Sequence, residues 1–313
     1  MVAGHVIGDC SLRGMKVADD SLFRYFYFSF QYLRMPLFTV ISGFVYSLRP
    51  ADSTNTFRFL RGKTRRILLP FAVFGTLQFI FRCFVPGINQ SAVLSDIWKI
   101  YILTFDQFWF LQAIFLVFLC VSLLERYHLL STLKHYIPFF GIACVLFFFR
   151  NRSTIVFSID GFLYLLPFFL LGIGINRFKS FFNARITKMI TGSVFFLTII
   201  IQQLIWFNAI PQPGEYIYSL IALMIGISGI LAVFYLRKPQ RFLAMLGYYS
   251  YGIYLMHVFG TASSRIILML MGIENSLIIF IISLSFGLAL PVLAELVIMK
   301  QGFLKLMLPS LNQ

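Results

Sequence analysis

Charged residues are scarce in this sequence. Asp, Glu, Lys and Arg together make up 12% of the 313 residues, whereas hydrophobic residues make up 59%. The mean hydropathy of +0.87 lies far outside the range of soluble globular domains. A soluble fold with so many apolar side chains would expose surface that aggregates. The composition therefore excludes a soluble protein and indicates an integral membrane protein.

Cysteine is also rare, with four residues and no CxxC pair. Cys83, Cys120 and Cys144 lie in apolar runs, and Cys10 is the fourth. This spacing indicates neither a disulfide framework nor a zinc site, and no metal site is predicted. The sequence contains no internal repeat, no low-complexity tract and no polar stretch long enough for a soluble domain. Residues 1–313 are therefore predicted to form a single membrane domain.

Long apolar runs, by contrast, are abundant. Nine of them are candidates to cross a hydrocarbon core of about 30 Å. They cover roughly 26–48, 67–84, 100–124, 136–149, 160–176, 189–208, 216–236, 248–271 and 276–299. Helices are required because lipid offers the backbone no hydrogen-bond partner, and the runs are too long for barrel strands. The predicted fold class is an all-α integral membrane protein, a polytopic helix bundle with nine full spans, of which 136–149 is the shortest.

The basic residues orient this bundle. Most Lys and Arg residues lie in the connections 49–66, 125–135, 177–188 and 237–247 and after residue 299. The alternate connections, including 85–98, carry most of the Asp and Glu. The positive-inside rule then places the basic connections and the C-terminus in the cytoplasm, and 85–98 outside the plasma membrane.

Counting the spans backwards makes residues 9–25 an outer loop, which requires a helix before it. Only Met1–Gly8 remains to supply that helix. The sequence is therefore expected to carry only the remnant of a first helix in addition to the nine full spans.

Polar side chains inside the predicted spans are candidate functional residues, because burying them in lipid is expensive. Gln31, Arg34 and Ser42 accompany Pro36 and Gly43 in the first run. A second group recurs at steps of four and three along one helical face and consists of Ser250, Tyr254, His257, Thr261 and Ser264. Such a stripe faces either protein or a watery cavity. Interhelical hydrogen bonds would explain both groups equally well.

The densest cation cluster lies in the connection after the first run. It consists of Arg58, Arg61, Lys63, Arg65 and Arg66. A topology anchor beside anionic headgroups is one interpretation. Binding of a phosphate-rich ligand such as coenzyme A is another, because guanidinium groups bind phosphate in a forked geometry. The spacing of these five residues does not distinguish the two interpretations.

His5 lies in the small apolar context Val-Ala-Gly-His-Val-Ile-Gly. An imidazole can accept a proton from an alcohol near neutral pH, which acyl transfer to a hydroxyl requires.

These residues together resemble a known family. The shared features are Gly4-His5, Arg34-Met-Pro-Leu-Phe with Ser42-Gly43-Phe44, the basic loop ending in Arg66-Ile-Leu-Leu-Pro70, Phe108-Trp109-Phe110-Leu111, and Leu246-Gly-Tyr-Tyr-Ser-Tyr-Gly-Ile-Tyr-Leu-Met-His257. In this order, over residues 4 to about 299, they resemble the acyltransferase 3 family of ten-helix bacterial membrane enzymes.

The resemblance implies O-acylation, usually O-acetylation, of a cell-surface or exported polysaccharide, with acyl-CoA as a co-substrate and no bound cofactor. It implies that His5 is the catalytic histidine and that Lys63, Arg65 and Arg66 hold the CoA, with Arg58 and Arg61 beside them. Arg34, Trp109, Tyr254 and His257 are weaker candidates to stabilise an oxyanion or position the sugar. The family also has an arginine eleven positions before its histidine, for which this sequence has no counterpart, and a periplasmic esterase-like extension, which is absent here.

The expected partners are membrane lipids, acyl-CoA and a carbohydrate acceptor, and no nucleic acid. Two other functions remain open from the residues alone. A sugar or lipid transporter or flippase would also contain intramembrane Arg, His and Glu, although no inverted repeat is visible. A noncatalytic membrane scaffold would use the polar stripe only for helix packing.

Overall fold

The computed structural model describes residues 1–51, 55–86, 88–89, 91–150 and 156–300, and its secondary-structure elements are all helices. The α-helices are α1 (Val2–Ile7), α2 (Leu22–Leu48), α3 (Thr56–Lys63), α4 (Leu69–Phe84), α5 (Lys99–Ile102), α6 (Trp109–Arg126), α7 (Leu133–Leu146), α8 (Ile159–Arg177), α9 (Lys179–Asn183), α10 (Arg185–Trp206), α11 (Glu215–Leu236), α12 (Arg241–Tyr248), α13 (Ser250–Leu270) and α14 (Ser276–Lys300). A π-helical turn, Thr64–Leu68, joins α3 to α4. The prediction of an all-α polytopic membrane protein is confirmed.

Seven helical segments of the described chain are long and apolar enough to cross a membrane. They are Thr56–Phe84, Asp106–Arg126, Ile159–Arg177, Arg185–Trp206, Glu215–Leu236, Ser250–Leu270 and Ser276–Val297. The other two predicted spans differ for physical reasons. The run at 26–48 lies in α2, which has 27 residues but is made more polar by Arg34 and Gln31. The run at 136–149 lies in the shorter apolar segment Leu133–Phe149.

One predicted span begins too early. The run at 100–124 is interrupted after α5, because Leu103 has an extended backbone and Asp106 has a positive φ of 40°. The membrane-length segment starts at Asp106 instead. A hydropathy average over this run misses the break, because the polar residues Thr104, Asp106 and Gln107 lie between long apolar stretches on both sides.

The chain divides into two compact units. The first consists of Met1–Phe28, Thr64–Phe108 and the chain from Pro239 onward. Within it, α13 and α14 pack against each other and α1 packs against both. Gly260 allows this approach, because a Cβ atom there would lie 2.5 Å from the backbone oxygen of Phe286. Apolar side chains from α1, the loop after it, α13 and α14 form one core, with Val6, Ile7, Met15, Val17, Leu268 and Ile279 buried.

The second unit consists of Ser29–Lys63 and Trp109–Lys238. Its helix pairs are α6 with α8, α7 with α8, and α10 with α11. A Cβ atom on Gly43 of α2 would collide with the backbone oxygen of Phe169 on α8. A Cβ atom on Gly172 of α8 would likewise collide with the backbone oxygen of Val40 on α2. These two glycines therefore let α2 and α8 pack with their backbones in close contact.

Candidate active site

His5 lies on the short helix α1, which packs against α13 and α14 within the first unit. Val2, Val6 and Ile7 of this helix are buried, whereas His5 is exposed. Gly8 ends the helix with a φ of 87°, a conformation that a glycine adopts readily. The backbone N–H of Met15 then donates to the carbonyl of Val6 at 2.9 Å, so the chain folds back onto α1.

Two buried arginines hold the loop that follows α1. Arg24, on α2, donates to the carbonyl of Gly8 and lies 3.4 Å from the Asp19 carboxylate. Arg265, on α13, donates to the carbonyl of Gly14 at 2.8 Å. The two arginines are 4% and 8% exposed, respectively. Hydrogen bonds from charged donors are the stronger kind, so these contacts fix the end of the helix that carries His5.

His257 lies in the middle of α13 and is 0% exposed. Its Nδ1 is 2.9 Å from the carbonyl oxygens of both Ile253 and Tyr254. Its Nε2 is buried and has no hydrogen-bond partner among the described residues. The ring is therefore oriented by the backbone of its own helix.

The structure brings His5 and His257 together. Their ring centroids are 4.8 Å apart and their planes are tilted by 56°. Gly287 on α14 makes this arrangement possible, because a Cβ atom there would meet the Thr261 methyl group and would lie 2.9 Å from Cγ1 of Val2. The site thus combines one exposed imidazole with one buried imidazole.

Tyr254 lies one turn before His257 and belongs to a separate polar network. Its hydroxyl donates to the backbone carbonyl of Gln107. The Gln107 carboxamide pairs with that of Gln78 at 2.6 Å, and Gln78 also donates to the Asp106 carboxylate at 2.6 Å. Asp106 is in turn 3.1 Å from Arg82. Because the Tyr254 proton is used in this network, its hydroxyl offers only lone pairs to a ligand.

The remaining hydroxyl groups of the α13 stripe bond within their own chain segment. Ser250, Thr261 and Ser264 donate to the carbonyls of residues 247, 258 and 260, respectively. Ser42 on α2 likewise donates to Phe38, at 2.9 Å. The interpretation as interhelical hydrogen-bond donors is therefore wrong for Ser42, Thr261 and Ser264, since their own helix already supplies an acceptor one turn back. Ser250, at the start of α13, bonds to Gly247 at the end of the adjoining helix α12.

The basic cluster is split between the two units. Arg65 and Arg66 belong to the first, on the π-helical turn, where both side chains are exposed and the Arg66 carbonyl accepts a 2.6 Å hydrogen bond from Tyr251. Arg58 and Arg61 are exposed on α3 in the second unit. There Lys63 places its Nζ 3.8 Å from the ring centroid of Phe118, a cation–π contact.

Arg34 and Trp109 also lie in the second unit. Arg34 is half-buried on α2. Trp109 is the first residue of α6, and its ring packs directly on Gly161, where a Cβ atom would lie only 2.7 Å from the ring. The ring centroids of Trp109 and Tyr164 are 6.2 Å apart. Their predicted contribution to oxyanion or sugar binding stays a prediction.

The sequence reasoning missed Arg24 and Arg265. Arg265 carried a signal, since it lies inside the predicted span 248–271 and an intramembrane arginine is expensive. Arg24 lies just before the run at 26–48, and a charged residue next to the end of a membrane span is common and carries no signal of its own. Among the residues that the structure describes, no three His, Cys, Asp or Glu side chains lie together where they could hold a metal ion.

A family model described as an acyltransferase domain matches residues 1–296. The chain belongs to the acyltransferase 3 family. This membership confirms the family resemblance and identifies a membrane acyltransferase, an enzyme that transfers acyl groups, rather than a transporter or a scaffold. No curated protein and no solved structure matches this acyltransferase.

Proposed function

We propose that this membrane acyltransferase transfers an acyl group, acetyl in the first instance, from acyl-CoA to a hydroxyl of a cell-surface or exported polysaccharide. The observation that carries the proposal is the exposed His5 imidazole, held on α1 in contact with the buried His257. Acyl transfer to an alcohol requires a base that works near neutral pH and can reach the substrate. His5 is an imidazole whose side chain is exposed.

In the proposed reaction, the acceptor oxygen attacks the thioester carbonyl carbon while His5 removes the hydroxyl proton. The carbon–sulfur bond then breaks, and the departing thiolate takes the proton from the His5 imidazolium. The proton is thus returned and the enzyme ends the cycle unchanged. No redox partner is needed, because no atom changes its oxidation state.

The basic residues support acyl-CoA as the donor. Arg58, Arg61, Arg65 and Arg66 are exposed, so their guanidinium groups are accessible to phosphates. Lys63 is half-buried and packs on Phe118, which favours a structural role over a phosphate contact. The charge distribution supports an orientation with these cations and the C-terminus in the cytoplasm, where acyl-CoA is available. A location in the bacterial inner membrane is what the family implies.

Replacement of His5 tests the proposal in the full-length protein. We expect His5→Ala to reduce transfer of labelled acetyl from acetyl-CoA to glycan by about 10² to 10⁴-fold, the range for loss of a general base. The amount of folded protein should change little, because His5 is exposed.

His135→Ala is the matched control, since His135 is an exposed histidine on α7 in the other unit. It should retain the wild-type rate. Equal activity of the His5→Ala variant and the control would refute the assignment of His5 as the base.

A further inference from the structure

We propose that His257 is a positioning residue for His5: its Nε2 accepts a hydrogen bond from the His5 ring and thereby fixes which His5 nitrogen presents its lone pair to the substrate hydroxyl. This inference rests on the proposed function. His257 itself touches neither donor nor acceptor in this account, because it is 0% exposed.

The tautomer of His257 follows from its backbone contacts. Nδ1 faces two carbonyl oxygens at 2.9 Å, and a carbonyl oxygen can only accept a hydrogen bond. Nδ1 must therefore carry a hydrogen. In the neutral ring, Nε2 then has no hydrogen and presents a lone pair.

The Nε2 atom is the unusual feature. It is buried and has no hydrogen-bond partner in the part of the chain that the structure describes. An unsatisfied buried acceptor costs about 1–3 kcal/mol, so its retention calls for a donor that approaches it during function. The His5 ring, with its centroid 4.8 Å away, is in contact with this imidazole and carries such a donor.

The consequence for catalysis concerns the His5 tautomer. If one His5 nitrogen donates its hydrogen to Nε2 of His257, the other nitrogen must present a lone pair to the acceptor hydroxyl. When His5 takes the hydroxyl proton, the new imidazolium keeps its hydrogen bond to the His257 lone pair, which stabilises the charge. In serine proteases a buried aspartate orients the catalytic histidine in the same way. Here a neutral imidazole with a fixed tautomer would serve instead.

Two amide substitutions separate this role from a packing role. Asn at position 257 places its amide near the Nδ1 position, so it keeps a donor to the backbone carbonyls but lacks an acceptor at the Nε2 position. Gln reaches the Nε2 position with its amide oxygen but gives up the backbone anchor. A positioning role predicts that His257→Gln is the more active variant, whereas a packing role predicts the reverse order.

The measurements are kcat and KM for acetyl-CoA in the full-length enzyme, normalised to folded protein. We expect His257→Asn to lower kcat about 10 to 100-fold, as for residues that orient a functional imidazole, with KM unchanged. His257→Gln should recover part of that loss. In a His5→Ala background the Asn substitution should cause no further loss, because the group it orients is gone.

The outcomes distinguish the two hypotheses. Full activity of His5→Ala would overturn the proposed function, and this inference with it. An inactive His5→Ala variant beside a fully active His257→Asn variant would overturn only the inference. Equal or reversed activities of the Asn and Gln variants, or failure of both to fold, would make His257 a packing residue.

Discussion

Gly287 on α14 offers the sharpest test of how the site is held together. A methyl group at this position would meet the Thr261 methyl group and would lie 2.9 Å from Cγ1 of Val2. Ordinary carbon–carbon contacts are about 3.5 Å or longer, so Val2 would have to retreat by about 0.6 Å. Val2 and Thr261 are both β-branched and stiff, so rotation about χ1 offers little relief.

The expected cost in stability is small. Overpacking costs about 1–3 kcal/mol, whereas replacing Gly by Ala inside a helix gains about 1 kcal/mol. The free energy of unfolding should therefore fall by about 0–2 kcal/mol in the Gly287→Ala variant. Thermal unfolding in detergent measures this change.

The expected cost in activity is larger. Val2 and His5 are three residues apart on the six-residue helix α1, so they move together when α1 is displaced. A displacement of about 1 Å at a catalytic group costs about 100-fold in rate. We therefore expect Gly287→Ala to lower acetyl transfer by about 10 to 100-fold.

Gly192→Ala is the matched control. Gly192 lies inside α10, and a Cβ atom there would have no heavy atom within 4 Å. This variant should gain stability and keep its activity. Thr261→Ser removes the closest methyl group and should partly restore the Gly287→Ala variant. If Gly287→Ala is as active as Gly192→Ala, the argument that α14 positions His5 through Val2 is refuted.

Three further predictions follow from the charges. Replacing Arg65 and Arg66 together by Gln should raise KM for acetyl-CoA and leave membrane insertion intact, because both side chains are exposed; an unchanged KM would leave them as topology anchors. Single cysteines at Ser91 and Ser180, in a background without the native cysteines, should react with impermeant reagent from opposite sides, and labelling from the same side would contradict the orientation. Arg265→Gln should destabilise the first unit by about 1.5–3 kcal/mol through loss of the charged hydrogen bond to the loop, which a lower unfolding temperature in detergent would reveal.

The long helices were predictable because lipid imposes one requirement on all of them. Each span must satisfy its own backbone, so an apolar run of sufficient length specifies a helix without reference to its neighbours. The limits of this reasoning appear where polarity or local backbone geometry intervenes. The break before Asp106 depends on a positive φ, and the polar character of α2 depends on Arg34 and Gln31.

The candidate site was predictable only in part, because its members lie far apart in the sequence. His5 and His257 were each singled out, but spacing along a chain carries no information about contacts between its two ends. For the stripe on α13, periodicity correctly predicted a face that meets protein, since Tyr254, His257, Thr261 and Ser264 are buried. Periodicity did not predict the hydrogen-bond partners, because the hydroxyls of Thr261 and Ser264 bond within α13 and that of Ser250 bonds to Gly247 at the end of α12.

Arg265 shows what a better use of the sequence would have required. The cost of an arginine within a membrane span demands acceptors, and carbonyl groups that no helix uses occur only in loops or at helix ends. The loop after α1 contains two glycines with positive φ, Gly8 and Gly14, whose carbonyls accept from Arg24 and Arg265. A buried arginine and a glycine-rich loop in the same predicted membrane domain therefore form a complementary pair of donor and acceptor. That pairing, rather than hydropathy, explains why a six-residue helix holds its histidine in a defined place.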